Sequence, residues 1–240
     1  AGGARRHPYR GDRPEMSIID ATAGFFQNGG PFMYPILIVL ALGLSIALER
    51  WVYLTRTSLK NRSLWRELVP YIKEGRFTEA ADLAKEGESA IGRILGYGLA
   101  RIRSAGRRDD VERAMEESMM EVTPHLEKRT HYLATFANLA TLLGLLGTII
   151  GLIEAFTAVA GADPAQKADL LSASISVAMN TTAFGLMVAI PLLFVHAVLQ
   201  TKTTEIIDSL EMVSVKFLNA VDDKRRAQGQ QPAARQGAAA

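Results

Sequence analysis

Thr141, Thr148, Ser176, Asn180, Thr181 and Thr182 are polar side chains set in stretches that are otherwise apolar. A hydroxyl or amide in such a setting can bond a water, a partner's polar group, or its own helix, where Ser and Thr reach the carbonyl four residues back. None of them titrates near neutral pH, so they can assist a proton or ion only by orienting another group. The chain has no cysteine, which excludes disulfides and thiolate metal sites. No His pair has zinc-peptidase spacing and no Gly-rich phosphate loop is present, so neither metal-assisted hydrolysis nor nucleotide binding is expected. The reading is of a protein that is not an enzyme and uses no cofactor or metal. Net charge is +2, with Lys and Arg interleaved among Asp and Glu, which reads as a solvated helical surface and gives no nucleic-acid partner.

The small residues around these hydroxyls recur with helical spacing. Thr141, Gly144, Thr148, Gly151 and Ala155 follow at intervals of 3, 4, 3 and 4, and Ser174, Ala178, Thr182, Gly185 and Ala189 at 4, 4, 3 and 4. Each set lies on one face of a helix. Small faces let helix backbones approach closely in lipid, where no hydrophobic drive brings helices together. Gly144, Gly147, Gly151, Ala178, Gly185 and Ala189 are therefore expected to pack helices. Thr148 and Thr182, with Thr141, Ser176, Asn180 and Thr181, are the candidates to face a pore.

The elements that must position these residues are membrane spans. Uncharged blocks run over Pro31–Leu48 (18 residues), Tyr132–Ile153 (22) and Leu170–Thr201 (32). A hydrocarbon core ~30 Å thick takes about 20 apolar residues as a helix. The expected fold is an all-α integral membrane protein with three transmembrane helices, the second and third extended into a cytoplasmic helical bundle. The spans are placed at 31–56, 132–160 and 170–201. An N-terminal segment covers 1–30, of which 1–15 are expected to be non-native because Met16 reads as a start. A polar helical region covers 57–131, punctuated by Gly75, Gly87 and Gly106, with Asp109 and Asp110 as N-cap candidates and Pro124 as a kink or break. A short loop covers 161–169. A helix continues over 202–221, where Ile206, Leu210, Val213, Phe217 and Val221 keep helical spacing. A low-complexity tail, expected to be disordered, runs over 222–240.

Lys and Arg crowd both ends of the 57–131 region and the C-terminal segment, whereas the 161–169 loop holds one Lys and two Asp. The positive-inside rule then puts the polar region and C-terminus in the cytoplasm, and the N-terminus and short loop outside. Trp51 and Tyr53, beside Arg50 and Arg56, mark the inner interface of the first span. The spans hold no acid near the midplane. Glu154 lies toward the outer end of the second and His196 toward the inner end of the third.

The block Gly144-Leu145-Leu146-Gly147-Thr148-Ile149-Ile150-Gly151 resembles the second-helix signature of the MotA/TolQ/ExbB proton channel family. Ala178-Met179-Asn180-Thr181-Thr182-Ala183-Phe184-Gly185-Leu186, followed by Ala189-Ile190-Pro191, resembles its third-helix signature. Glu49-Arg50 and the three-span layout also resemble the family, and three spans favour the ExbB/TolQ-like branch over the four-span MotA branch. The resemblance implies a homo-oligomer, a pentamer, around a central pore in a bacterial inner membrane. It implies an ExbD/TolR-like single-span partner with a membrane Asp inside that pore, and a TonB/TolA-like protein that does work at the outer membrane. The threonines matching Thr148 and Thr182 would line the pore. Val177 stands where well-known ExbB and TolQ chains carry a glutamate, so no glutamate role carries over. The alternative is a non-conducting structural membrane scaffold, such as a secretion or motility stator component, in which the small-residue faces only pack.

Overall fold

The computed structural model describes residues 29–86, 89–105 and 107–229. They form six helices: α1 Met33–Glu74, α2 Phe77–Glu86, α3 Ala90–Ala105, α4 Arg108–Glu127, α5 Thr130–Ala160 and α6 Lys167–Gly229. The N-terminal segment up to residue 28, Gly87, Gly106 and the tail beyond residue 229 lie outside the described residues. Three helical stretches are long and apolar enough to cross a membrane, carried by α1, α4–α5 and α6. Only 17% of the most apolar window of the second is buried within the chain, so its exposed leucines, isoleucines and Phe156 require lipid or another helix around them.

The chain divides into two compact units. One holds the described residues up to Val39 with Leu139–Val188; the other holds Leu40–Asn138 with the chain from Ala189 onward. The first unit is built on glycines. A Cβ on Gly185 would come within 2.7 Å of the Ala140 carbonyl oxygen and 3.1 Å of the Gly144 Cα. A Cβ on Gly151 would lie 2.9 Å from that of Ala178. α5 and α6 therefore touch backbone to backbone, a distance only small residues allow. The segment before α1 is fastened to α6 by Thr181, whose hydroxyl donates to the Gly29 carbonyl at 2.6 Å.

The second unit has an ordinary apolar core. Leu54, Leu68, Ile94, Leu95, Leu99, Met115, Leu126, Leu133, Leu192 and Phe217 are fully buried. Full burial of one such side chain stabilises by roughly 1.5–3 kcal/mol. Gly98 is the point of closest approach, where an added Cβ would lie 2.8 Å from the Met115 sulfur and 3.1 Å from the Phe217 ring. Gly75 ends α1 at φ +80, a left-handed conformation that glycine adopts freely. Arg76 then opens α2, its guanidinium donating to Glu79 and Glu74. The bond from Arg76 holds the Glu79 carboxyl below the usual glutamate range.

Several boundaries differ from expectation. The first helix does not stop at Arg56 but continues through Pro70 to Glu74, and Leu64, Leu68 and Ile72 give it a buried stripe. The N-cap of α4 is Arg107, with no side-chain cap, and Asp109 and Asp110 fall in the first turn, where carboxylates favour the positive helix end. Pro124 sits inside α4, and the break comes four residues later. The Lys128 N–H closes on the Pro124 carbonyl at 3.0 Å, and Arg129 turns the chain at φ 67. The third span and the following helix are one helix, and residues 222–229, expected as disordered tail, continue it to Gly229. Asp222 accepts from Arg108 at 2.6 Å and Lys224 donates to the Glu74 carbonyl at 3.0 Å, which holds this last stretch against α4 and α1.

Candidate functional site

The glycine contact brings two hydroxyls together. The oxygens of Thr148 on α5 and Thr182 on α6 lie 3.0 Å apart. Thr182 donates to the Gly144 carbonyl at 2.9 Å, while Thr148 reaches the Leu145 carbonyl at 2.7 Å and the Gly144 carbonyl at 3.3 Å. Since Gly144 has no side chain, its carbonyl is open to a threonine from the neighbouring helix. Thr148 and Thr182 are each half-buried, so the pair is accessible from one side of the seam. A hydroxyl carries one proton and two lone pairs, so the pair keeps acceptor capacity for a water or an incoming acid.

The other candidates do not all join this pair. Thr141 is exposed on α5, seven residues and about two turns before Thr148, on the same face. Thr181 is 2% exposed; it lies against Gly147 and bonds Gly29 and Val177 carbonyls, so within this chain it fastens helices rather than lining a surface. Ser176 is exposed and Asn180 half-buried, but at 100° per residue they stand roughly 120–160° around α6 from Thr182. Gly144, Gly147, Gly151, Ala178 and Gly185 make the α5–α6 contact. Ala189 is buried in the second unit. Val177 packs where a Cβ on Gly30 would meet it at 3.2 Å. Glu154 is exposed. Among the described residues no cluster of His, Asp or Glu could hold a metal ion.

A second polar constellation surrounds the break between α4 and α5; the sequence singles out its Glu49-Arg50 pair, Trp51, Tyr53 and His196, but not their partners across the chain. Arg50 is 3% exposed. Its guanidinium donates to the Leu126 carbonyl and lies 4.7 Å from the Tyr53 ring centre. Glu49 instead accepts from Arg129 at 2.8 Å. His196 donates from Nδ1 to the Thr130 carbonyl at 3.1 Å. Lys202 donates to Thr55 at 2.7 Å and stands 4.5 Å over the Trp51 ring. A helix-end carbonyl without an intrahelical partner explains the Arg50 contact: Leu126 lies in the last turn of α4, and Arg50 supplies its donor, while His196 adds a second acceptor contact at the first residue of α5.

Residues 86–212 match the MotA/TolQ/ExbB proton channel family. The chain is similar to the biopolymer transport protein ExbB-like 1 of Synechocystis, 32% identical over 187 residues that cover 76% of this chain and 72% of the relative. It is similar to an ExbB homologue of Methanothermobacter thermautotrophicus, 27% identical over 83% of this chain and 70% of that one. It is also similar to the Tol-Pal system protein TolQ of Haemophilus influenzae, 39% identical over 79 residues, about a third of each chain.

Proposed function

Because the chain belongs to the MotA/TolQ/ExbB proton channel family, we propose that it is the channel-forming subunit of a proton-driven motor complex in a bacterial inner membrane. It is a multi-pass membrane protein of the ExbB/TolQ-like branch. In this reading α5 and α6 of several copies, five by the family resemblance, surround a pore. Thr148 and Thr182 face it, with Thr141 two turns away. The N-terminus is periplasmic and the charged helices and C-terminus are cytoplasmic. The observation that carries the reading is the Thr148–Thr182 pair, 3.0 Å apart and half-accessible on a glycine seam.

The uncharged blocks offer no acid near the midplane, and His196 lies toward the inner end of the third. An ionisable group inside a bilayer is costly and usually functional, so the relay acid is assigned to another chain, an ExbD/TolR-like single-span subunit with a membrane aspartate. The threonine pair would hydrogen-bond that carboxyl and set its protonation. A charge crossing ~100 mV gains ~2.3 kcal/mol, and a TonB/TolA-like protein would receive that work at the outer membrane.

One observation favours a second reading. The two hydroxyls satisfy each other and the Gly144 carbonyl, as they would in a scaffold that conducts nothing. Thr148→Val and Thr182→Val separate the two, because valine keeps the shape and removes the hydroxyl. In vesicles holding the complex with its partner, the channel reading predicts at least tenfold less proton flux, about 1.4 kcal/mol of lost stabilisation, with assembly intact and Thr→Ser restoring flux. Full flux in both variants overturns the pore assignment. Loss of assembly, with no flux in the wild-type complex, supports the scaffold.

A further inference from the structure

We infer that the second unit carries a binding site for the phosphate headgroup of an anionic phospholipid, in a groove of about 810 Å³ bounded by α1, the start of α3 and the end of α4. Two kinds of residue line it. Leu48, Val52 and Tyr53 are apolar and exposed, and they belong to the stretch where the first uncharged block gives way to charge. Arg56, Lys60 and Arg93 are cationic and exposed.

The charge balance is what distinguishes this groove. Among the described residues none of these three cations forms an ion pair. Glu49, the one carboxylate in the lining among the described residues, pairs with Arg129 at 2.8 Å. Among the described residues, three cations from two helices thus line one groove with no carboxylate paired to any of them. Like charges held together repel, so the arrangement gains most from a bound anion that bridges them. Ser89 also lines the groove, and its hydroxyl accepts from the Gly92 N–H at 3.0 Å.

A free phosphate would account for the cations but not for the exposed Leu48, Val52 and Tyr53 beside them. A phospholipid accounts for both, with its headgroup at Arg56, Lys60 and Arg93 and the upper part of its chains along the apolar side chains. The position suits the source, since aromatic and basic residues gather where a span meets headgroups. Basic residues at an anionic leaflet attract its lipids at a contribution of the order of fivefold in binding for each cation.

The experiment uses the full chain, extracted in detergent, delipidated, and given phosphatidylglycerol or phosphatidylcholine before native mass spectrometry. Preferential retention of phosphatidylglycerol is expected. Arg56→Gln, Lys60→Gln and Arg93→Gln should each lower it about fivefold, with far-UV circular dichroism unchanged. Arg66→Gln, Lys73→Gln and Arg113→Gln, which remove the same charge elsewhere on the unit, should leave it as it was. Equal retention of the two lipids overturns the inference, as does an equal loss in both sets of variants. Displacement of the lipid by an equal concentration of inorganic phosphate overturns it in favour of a free anion site. Retention of polyglutamate in its place overturns it in favour of a protein partner. The readout is lipid mass, so it stands or falls apart from ion conduction.

Discussion

Thr181 and Thr182 show how much one residue decides. They are neighbours in sequence, yet a rotation of about 100° sends the first to the Gly29 carbonyl, buried, and the second to Thr148, half-accessible. The sequence puts Thr182 and not Thr181 on the small-residue stripe, yet offers both as pore candidates, because such a stripe says which face is close-packed and not which edge of that face is open. The glycines were legible, since period and size alone place them. Their burden can be measured. Gly185→Leu must push a side chain into the Ala140 carbonyl, already 2.7 Å from a single Cβ, and overpacking of this kind costs about 1–3 kcal/mol. The expected outcome is a lowered thermal midpoint of the detergent-solubilised protein. Gly161→Leu, where an added Cβ meets nothing within 4 Å, should leave it unchanged.

At the scale of the element, the uncharged blocks predicted the spans because bilayer thickness fixes how many residues cross. The ends of the helices were less legible, because they depend on partners far away in sequence. Arg50 finds the Leu126 carbonyl 76 residues on, and Asp222 finds Arg108 across 114. Nothing local in the tail announced that pairing. Arg50→Ala should expose this dependence: it strips a charged donor from a buried carbonyl, at about 1.5–3 kcal/mol, and should loosen the α4–α5 junction. Faster amide exchange over residues 126–132, with the middle of α6 unaffected, would record it. α2 offers a pH effect of known sign. The Glu79 carboxyl is lowered by its bond to Arg76, so its contribution is complete above the ordinary glutamate pKa and fades as pH falls through the lowered one. Both groups are exposed, so the effect is small, and Glu79→Gln should remove the corresponding part of the acid dependence of unfolding.

For the whole molecule, the proposed orientation rests on charge counts, and the lack of cysteine makes it directly testable. A cysteine at Ala162, between α5 and α6, should react with an impermeant maleimide in intact cells or spheroplasts, whereas one at Ser214 should react only after the membrane is opened. The opposite pattern would invert the proposed topology. The family resemblance was carried by two blocks in α5 and α6, while the apolar core of the second unit had to be read from the folded chain, because its largest buried side chains come from five helices.

The uncharged blocks have one more consequence. In the proposed complex, a subunit with no acid near the midplane of its spans is an insulator until a second protein supplies one. Cells that make this chain in excess should therefore hold their membrane potential and keep growing, and the order in which the two proteins are synthesised ceases to be a hazard.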